Sequence, residues 1–167
     1  MTVFDSFVSA LAIFETEDRQ LYEYRRNRIS LTHALAVRLS QVFAKQSKAL
    51  SADICLQISK SKKTINPDIL VHDRHSGKQV LAVVCRNEYL SEEEQKALMV
   101  FAGTDRCELV MAVSFFPQKN YMLLYRATAS NIEYYHFDRN TLTSETVRKR
   151  TEEKFRESKS QLVFKLS

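Results

Sequence analysis

Residues 66–87 read NPDILVHDRHSGKQVLAVVCRN, and the fold is decided by how this stretch is read. Proline has no amide to give to a sheet ladder, so Pro67 marks the entry to a strand over Asp68–His72. Asp73–Lys78 is polar and contains Gly77, which makes it the turn of a hairpin. Val80–Cys85 (VLAVVC) is a continuous apolar run bounded by polar residues. Such a run predicts a central strand buried on both faces.

Upstream of the hairpin, Ala52, Ile54, Leu56 and Ile58 alternate with Asp53, Cys55 and Gln57, the period of a strand with one face more buried than the other. Ser59–Asn66 is a polar, basic loop carrying Lys60, Lys62 and Lys63. Further back, Leu21, Leu31, Leu35, Leu39, Val42 and Phe43 follow a helical period and predict the longest element of the chain. Val3, Phe4, Phe7, Val8, Leu11 and Phe14 predict a short amphipathic helix over 3–14, whose stripe is either core or a partner surface.

Downstream, Ser91-Glu92-Glu93-Glu94 reads as a helix start. A serine cap is followed by glutamate at the third helical position and by acids in the first turn, where they meet the positive helix end. That helix should run to about Ala102 and stop at Gly103. Glu108–Phe116 and Tyr121–Ala127 read as two strands, and Ile132–Phe137 as a further edge strand. Thr143–Ser160 reads as a charged helix with Val147 and Phe155 as its only large apolar residues, either a solvated face or a basic nucleic-acid-binding one. The order predicts one α/β domain over 1–167, an α+β sandwich with a mixed central sheet flanked by helices.

Composition excludes several classes of function. No apolar run reaches the roughly 18 to 20 residues of a membrane span, and Met1–Phe14 has no basic start or small-residue cleavage site, so the expectation is a cytoplasmic protein with no membrane partner. Three widely spaced cysteines, Cys55, Cys85 and Cys107, include no C-x-x-C pair and read as reduced thiols. Gly77 and Gly103 are the only two glycines, which excludes glycine-rich phosphate loops and with them a nucleotide cofactor. The net charge of +5 and isoelectric point near 9.1 favour polyanions as partners.

Asn66-Pro67-Asp68 through Asp73, followed across the turn by Leu81–Asn87, resembles the core of the PD-(D/E)XK, or restriction-endonuclease-like, nuclease superfamily. Upstream, Ser30-Leu31-Thr32-His33-Ala34-Leu35-Ala36 resembles the first-helix motif of many of its members. The resemblance covers about Leu21 to Phe116 and implies a helix, a strand, a hairpin and a crossover helix in that order. It also implies a site built on Asp68, with a metal-binding acid two positions before a catalytic lysine on the next strand, and a glutamate on the first helix. At those three places this sequence has Val84, Arg86 and Arg28.

These departures bear directly on chemistry. Phosphodiester hydrolysis uses a divalent ion held by carboxylates and water, and a valine supplies no oxygen. Arginine stays charged at any working pH, so Arg86 can hold a phosphate but is a poor base. The first expectation is therefore a nuclease-like domain with a degenerate site and no cofactor, kept as a nucleic-acid-binding or protein-interaction module, with Lys60, Lys62, Lys63 and Arg86 along the cleft. In the second, the strand continues past Arg86 so that positions 84, 86 and 88 share a side. Glu88 then joins Asp68, with a helix acid such as Glu23, to hold Mg²⁺ or Mn²⁺ in an active nuclease. The third is an adaptor or homodimer acting through the Val3–Phe14 helix.

Histidines and aromatics add less. His33 falls near the Leu31/Leu35 face and reads as a partly buried packing residue. His72 and His75 flank the turn but are too few to complete a metal site. Tyr134–Phe137 reads as core plus rim, with base stacking as the alternative.

Overall fold

The computed structural model describes residues 1–24, 27–55 and 65–147. Its elements are helix α1 (Val3–Glu17), a 3-10 turn (Arg19–Glu23), helix α2 (Arg28–Ala44), strands β1 (Leu50–Ile54), β2 (Ile69–Asp73) and β3 (Gln79–Arg86), helix α3 (Glu92–Gly103), and strands β4 (Cys107–Ser114), β5 (Tyr121–Ala127), β6 (Ile132–Asp138) and β7 (Thr143–Thr146). The seven strands form one mixed sheet whose spatial order is their chain order. Every neighbouring pair is antiparallel except β3 and β4, which run parallel and are connected through α3. The predicted α/β architecture, a mixed sheet flanked by helices, is therefore what forms.

Alternation along the central strands divides the core into two layers. Leu81, Val83 and Cys85 of β3 and Leu109, Met111 and Val113 of β4 pack against Phe7, Leu11 and Phe14 of α1 and Leu31, Leu35, Leu39 and Phe43 of α2. Val84, Val110 and Ala112 point the other way, onto Ala97 and Leu98 of α3. The run Val80–Cys85 is buried throughout, as expected of a strand covered on both sides. Each fully buried Leu or Phe contributes about 1.5–3 kcal/mol of transfer free energy. Phe7 and Leu11 are wholly inside, so the α1 stripe is core and does not offer a partner surface.

Local chemistry sets the element ends. Ser91 and Glu94 form the capping box at α3 that the sequence indicated, and Thr2 and Asp5 form a second one at α1 that it did not. The β2–β3 turn is held by Asp73, whose Oδ1 accepts from the amides of His75 at 2.8 Å and Ser76 at 3.1 Å, with Gly77 at φ 74°. Helix α3 ends where Asp105 adopts φ 53°, so an aspartate and not Gly103 takes the left-handed position.

Four expectations are corrected. The long helix predicted from Leu21 to Phe43 is interrupted: Asp18 accepts the Arg38 guanidinium at 2.7 and 3.0 Å, Arg19–Glu23 forms the 3-10 turn, and α2 begins only at Arg28. His33 is exposed on α2 and does not pack beside Leu31 and Leu35. Thr143–Thr146, predicted to open a helix, is a strand. Asp138 caps the preceding turn through the amides of Asn140 and Thr141, and the β-branched threonines pair with β6. In consequence β6 is paired on both sides and is not an edge. The remainder of the predicted charged helix, from position 148 on, lies outside the described residues, as do Leu56 and Ile58 of the first predicted strand. No helix among the described residues is long and apolar enough to cross a membrane.

A buried ion pair ties the first helix to the β4–β5 and β6–β7 connections. Glu15 and Arg139, with side chains 2% and 3% exposed, meet at 3.3 Å. The Tyr22 hydroxyl donates to the same Glu15 oxygen at 2.8 Å, and burial, the largest influence on it, pushes that phenol above its ordinary range, so it remains a donor. Arg139→Leu would leave the Glu15 carboxylate buried and unpaired, and should cost about 3–5 kcal/mol of stability in urea titration. Glu15→Gln should cost less than half as much, because the arginine keeps its backbone partners. Equal losses would show that the pair itself is not what the fold depends on.

Candidate functional site

Asp68 stands at the head of β2 and Arg86 at the end of β3, and because the two strands are antiparallel those positions are neighbours. The Asp68 backbone is anchored on both sides: its amide donates to Val83 at 2.8 Å and its carbonyl accepts from Cys55 at 2.9 Å. Its carboxylate faces the end of β3. Oδ2 accepts from the Cys85 amide at 2.7 Å and from Arg86 Nη1 at 3.2 Å.

Arg86 shares the face of β3 that carries Val84, on the α3 side. Its Nε donates to Glu94 Oε1 at 2.8 Å, and Nη1 also donates to the Cys85 carbonyl at 2.8 Å. Glu94 is the third residue of α3, and its second oxygen accepts the Ser91 amide at 2.9 Å in the capping box. One guanidinium thus lies between two carboxylates from different elements. The side chains of Asp68, Arg86 and Glu94 are 26%, 27% and 32% exposed, so solvent reaches the array and each pair contributes about 1 kcal/mol or less.

The sequence placed Asp68 and Arg86 together, and they are together. It did not identify Glu94 as their partner, although its position in the first turn of the helix after β3 was the available signal. Glu88 was expected to reach Asp68 if β3 ran on. Instead β3 ends at Arg86, and Glu88 sits exposed on the bend that follows, where its backbone carbonyl accepts from Ser114 Oγ at 2.6 Å. Glu23 is exposed on the 3-10 turn. Lys60, Lys62 and Lys63 lie outside the described residues.

The start of α2 borders the same corner. Arg28 Nη1 approaches the Cys85 carbonyl at 3.5 Å, and Asn27 Oδ1 accepts from Asn87 Nδ2 at 2.7 Å. The Cys85 thiol is fully buried, which pushes its pKa well above the ordinary thiol range and leaves it a packing group. At the neighbouring edge, Asp53 is held by Arg74 and by His72 Nε2 at 2.6 Å, so that ring nitrogen is already engaged. Tyr134 and Phe137 are buried, as the core reading of that segment required.

A divalent ion does not fit the donors that face one another here. Asp68 Oδ2 is occupied by an amide and a guanidinium, both Glu94 oxygens are engaged, and Val84 offers only methyl groups, which leaves at most Asp68 Oδ1, a single oxygen. Among the described residues no group of three or more His, Cys, Asp or Glu side chains converges to hold a metal. No protein-family model matches the chain, and no curated protein is significantly similar to it.

Glu94 makes the array sensitive to acid. Its burial disfavours the charged form, but hydrogen bonds from the Ser91 amide and the Arg86 guanidinium outweigh this and hold its carboxyl below the ordinary value of 4.5. A depressed carboxyl contributes stability that is complete above its unfolded pKa and is lost as pH falls through the folded one. Glutamine can keep the capping box but not the ion pair. The stability gap between wild type and Glu94→Gln should therefore be widest above about pH 5 and close toward about pH 3, measured by urea titration. A gap independent of pH would show that the ion pair contributes nothing.

Proposed function

We propose that this chain is a restriction-endonuclease-like domain whose catalytic site is degenerate, and that it acts as a non-catalytic nucleic-acid-binding module. The observation that carries this reading is the Asp68–Arg86–Glu94 array. In the superfamily that the sequence resembles, an acid at the head of the second strand and a residue near the end of the third work around a metal ion. Here the acid is present and a protein guanidinium lies against it, so the cation is part of the chain and cannot polarise a phosphate as Mg²⁺ would.

The topology supports the kinship. Helix α2, the antiparallel trio β1–β3, the crossover helix α3 and the parallel strand β4 follow in the order that the resemblance implies. The approach of Arg28 to Cys85 brings α2 to the same corner. The loss of oxygen ligands at positions 84 and 28 supports a binding role over turnover, as does the exposed bend that carries Glu88.

Charge distribution says which residues would meet a polyanion. Of the 25 Lys and Arg, 12 fall outside the described residues, against three of the 20 Asp and Glu, so the described fold is itself net acidic. Arg86 is neutralised by its two carboxylates and is a weak phosphate ligand on its own. Lys60, Lys62 and Lys63 follow β1 in the chain and precede Asp68, and Arg25 and Arg26 precede Asn27, which bonds to Asn87 beside Arg86. These residues are the expected phosphate contacts.

Binding of single- or double-stranded oligonucleotides should weaken steeply with salt. The three lysines alone contribute about −2.7 to the log–log slope on duplex DNA, about 40-fold between 50 and 200 mM. Replacing Lys60, Lys62 and Lys63 by Gln should flatten that slope while leaving the melting temperature unchanged. No binding at low salt, or cleavage that EDTA abolishes, would overturn the proposal.

A further inference from the structure

Strand β1 ends the sheet, so among the described strands only β2 lies beside it. The backbone groups of successive strand residues turn to opposite sides. The Cys55 amide donates to the Asp68 carbonyl at 2.9 Å, and the Arg74 amide to the Ala49 carbonyl at 3.4 Å. Ser51 and Asp53, in step with Ala49 and Cys55, therefore turn their groups to β2, and Leu50, Ala52 and Ile54 turn theirs to the outer side. A row of such groups is a template on which another chain can pair.

At the centre of that row stands one hydroxyl from α2. Ser40 Oγ accepts from the Ala52 amide at 2.9 Å and donates to the Ala52 carbonyl at 3.4 Å. At the head of the strand, the Leu50 amide donates to the Ser47 carbonyl at 3.1 Å. A helical hydroxyl often turns back to the carbonyl four residues earlier. Thr16 and Thr32 do so, onto Ala12 at 2.9 Å and Arg28 at 2.7 Å. Ser40 gives its hydroxyl to the sheet instead.

The strand it covers matches itself. Antiparallel pairing of two β1 strands about Ala52 uses these same outward groups. It sets Leu50 of one copy against Ile54 of the other, Ala52 against Ala52, and Ser51 against Asp53, so no like charges oppose. Ile54 is 37% exposed, an apolar side chain left at this edge. Strand β7, at the other end of the sheet, has no such match. The Val147 amide donates to the Tyr134 carbonyl at 2.8 Å, so Ser144 and Thr146 turn outward. The antiparallel self-pairing that uses both of them sets Glu145 against Glu145, which repels.

We propose that the outer edge of β1 is a latent surface for a second copy of this chain, and that Ser40 is the contact that keeps it closed. The Ala52 amide has one hydrogen to give, so the serine and an incoming strand compete for it. The occupant is a second copy because its own β1 supplies the complementary row in register.

The test compares the full chain with Ser40→Ala and with Ser40→Thr, which keeps a hydroxyl, by sedimentation velocity over a range of concentrations and by amide exchange at Ala52. Alanine is the better helix former, so Ser40→Ala keeps α2. At low concentration its Ala52 amide should exchange about fivefold faster than in wild type, the size of one net hydrogen bond. At high concentration Ser40→Ala should form a dimer that wild type and Ser40→Thr do not. Adding Ile54→Lys to Ser40→Ala should abolish that dimer, because an edge lysine blocks strand addition. Unchanged exchange at Ala52 in Ser40→Ala, association no stronger than in wild type, or a dimer that persists with lysine at position 54 would each overturn the proposal. None of these readouts involves nucleic acid.

Discussion

The guanidinium of Arg86, caught between Asp68 and Glu94, is the constraint from which this corner of the fold follows. It joins the head of β2, the end of β3 and the first turn of α3. The helix between the parallel strands β3 and β4 therefore begins against the strand it has just left. Asp68 and Glu94 each bond to the Arg86 guanidinium, whose positive charge offsets theirs. A nuclease of the kind the sequence resembles would use a metal ion. This chain places there a side chain that never loses its proton at working pH.

Much of this was legible in the sequence because it is written locally. The Pro67–Asp68 entry, the Gly77 turn, the apolar run Val80–Cys85 and the Ser91–Glu94 capping box are each a few residues long, and each formed where it was read. The adjacency of Asp68 and Arg86 was what the resemblance implied, and the antiparallel pairing of β2 and β3 brings them together. What the sequence could not supply was long-range choice. Nothing around Glu94 says that its free oxygen will find Arg86, and nothing around Arg139 says that it will pair with Glu15 across 124 residues. The interrupted helix before α2 and the strand at Thr143–Thr146 were missed for the same reason. Asp18 finding Arg38, and β6 offering an open edge, override local helical preference.

Two kinds of positive charge serve different ends in this protein. The arginines of the described fold that pair with acids, Arg38, Arg74, Arg86 and Arg139, hold elements together and present little net charge outward. The basic surplus that gives the chain its charge of +5 sits in short runs such as Arg25-Arg26, Lys60-Ser61-Lys62-Lys63 and Arg148-Lys149-Arg150. The division leaves a net acidic described fold and a basic surplus in short runs of sequence outside it.

The most direct measurement is crystallographic: crystals soaked in MnCl₂ and examined by anomalous difference density at the manganese edge. The account predicts no peak between Asp68 and Glu94, with the Arg86 guanidinium bridging them as before. A manganese ion ligated by Asp68, with Arg86 swung out of the site, would contradict it.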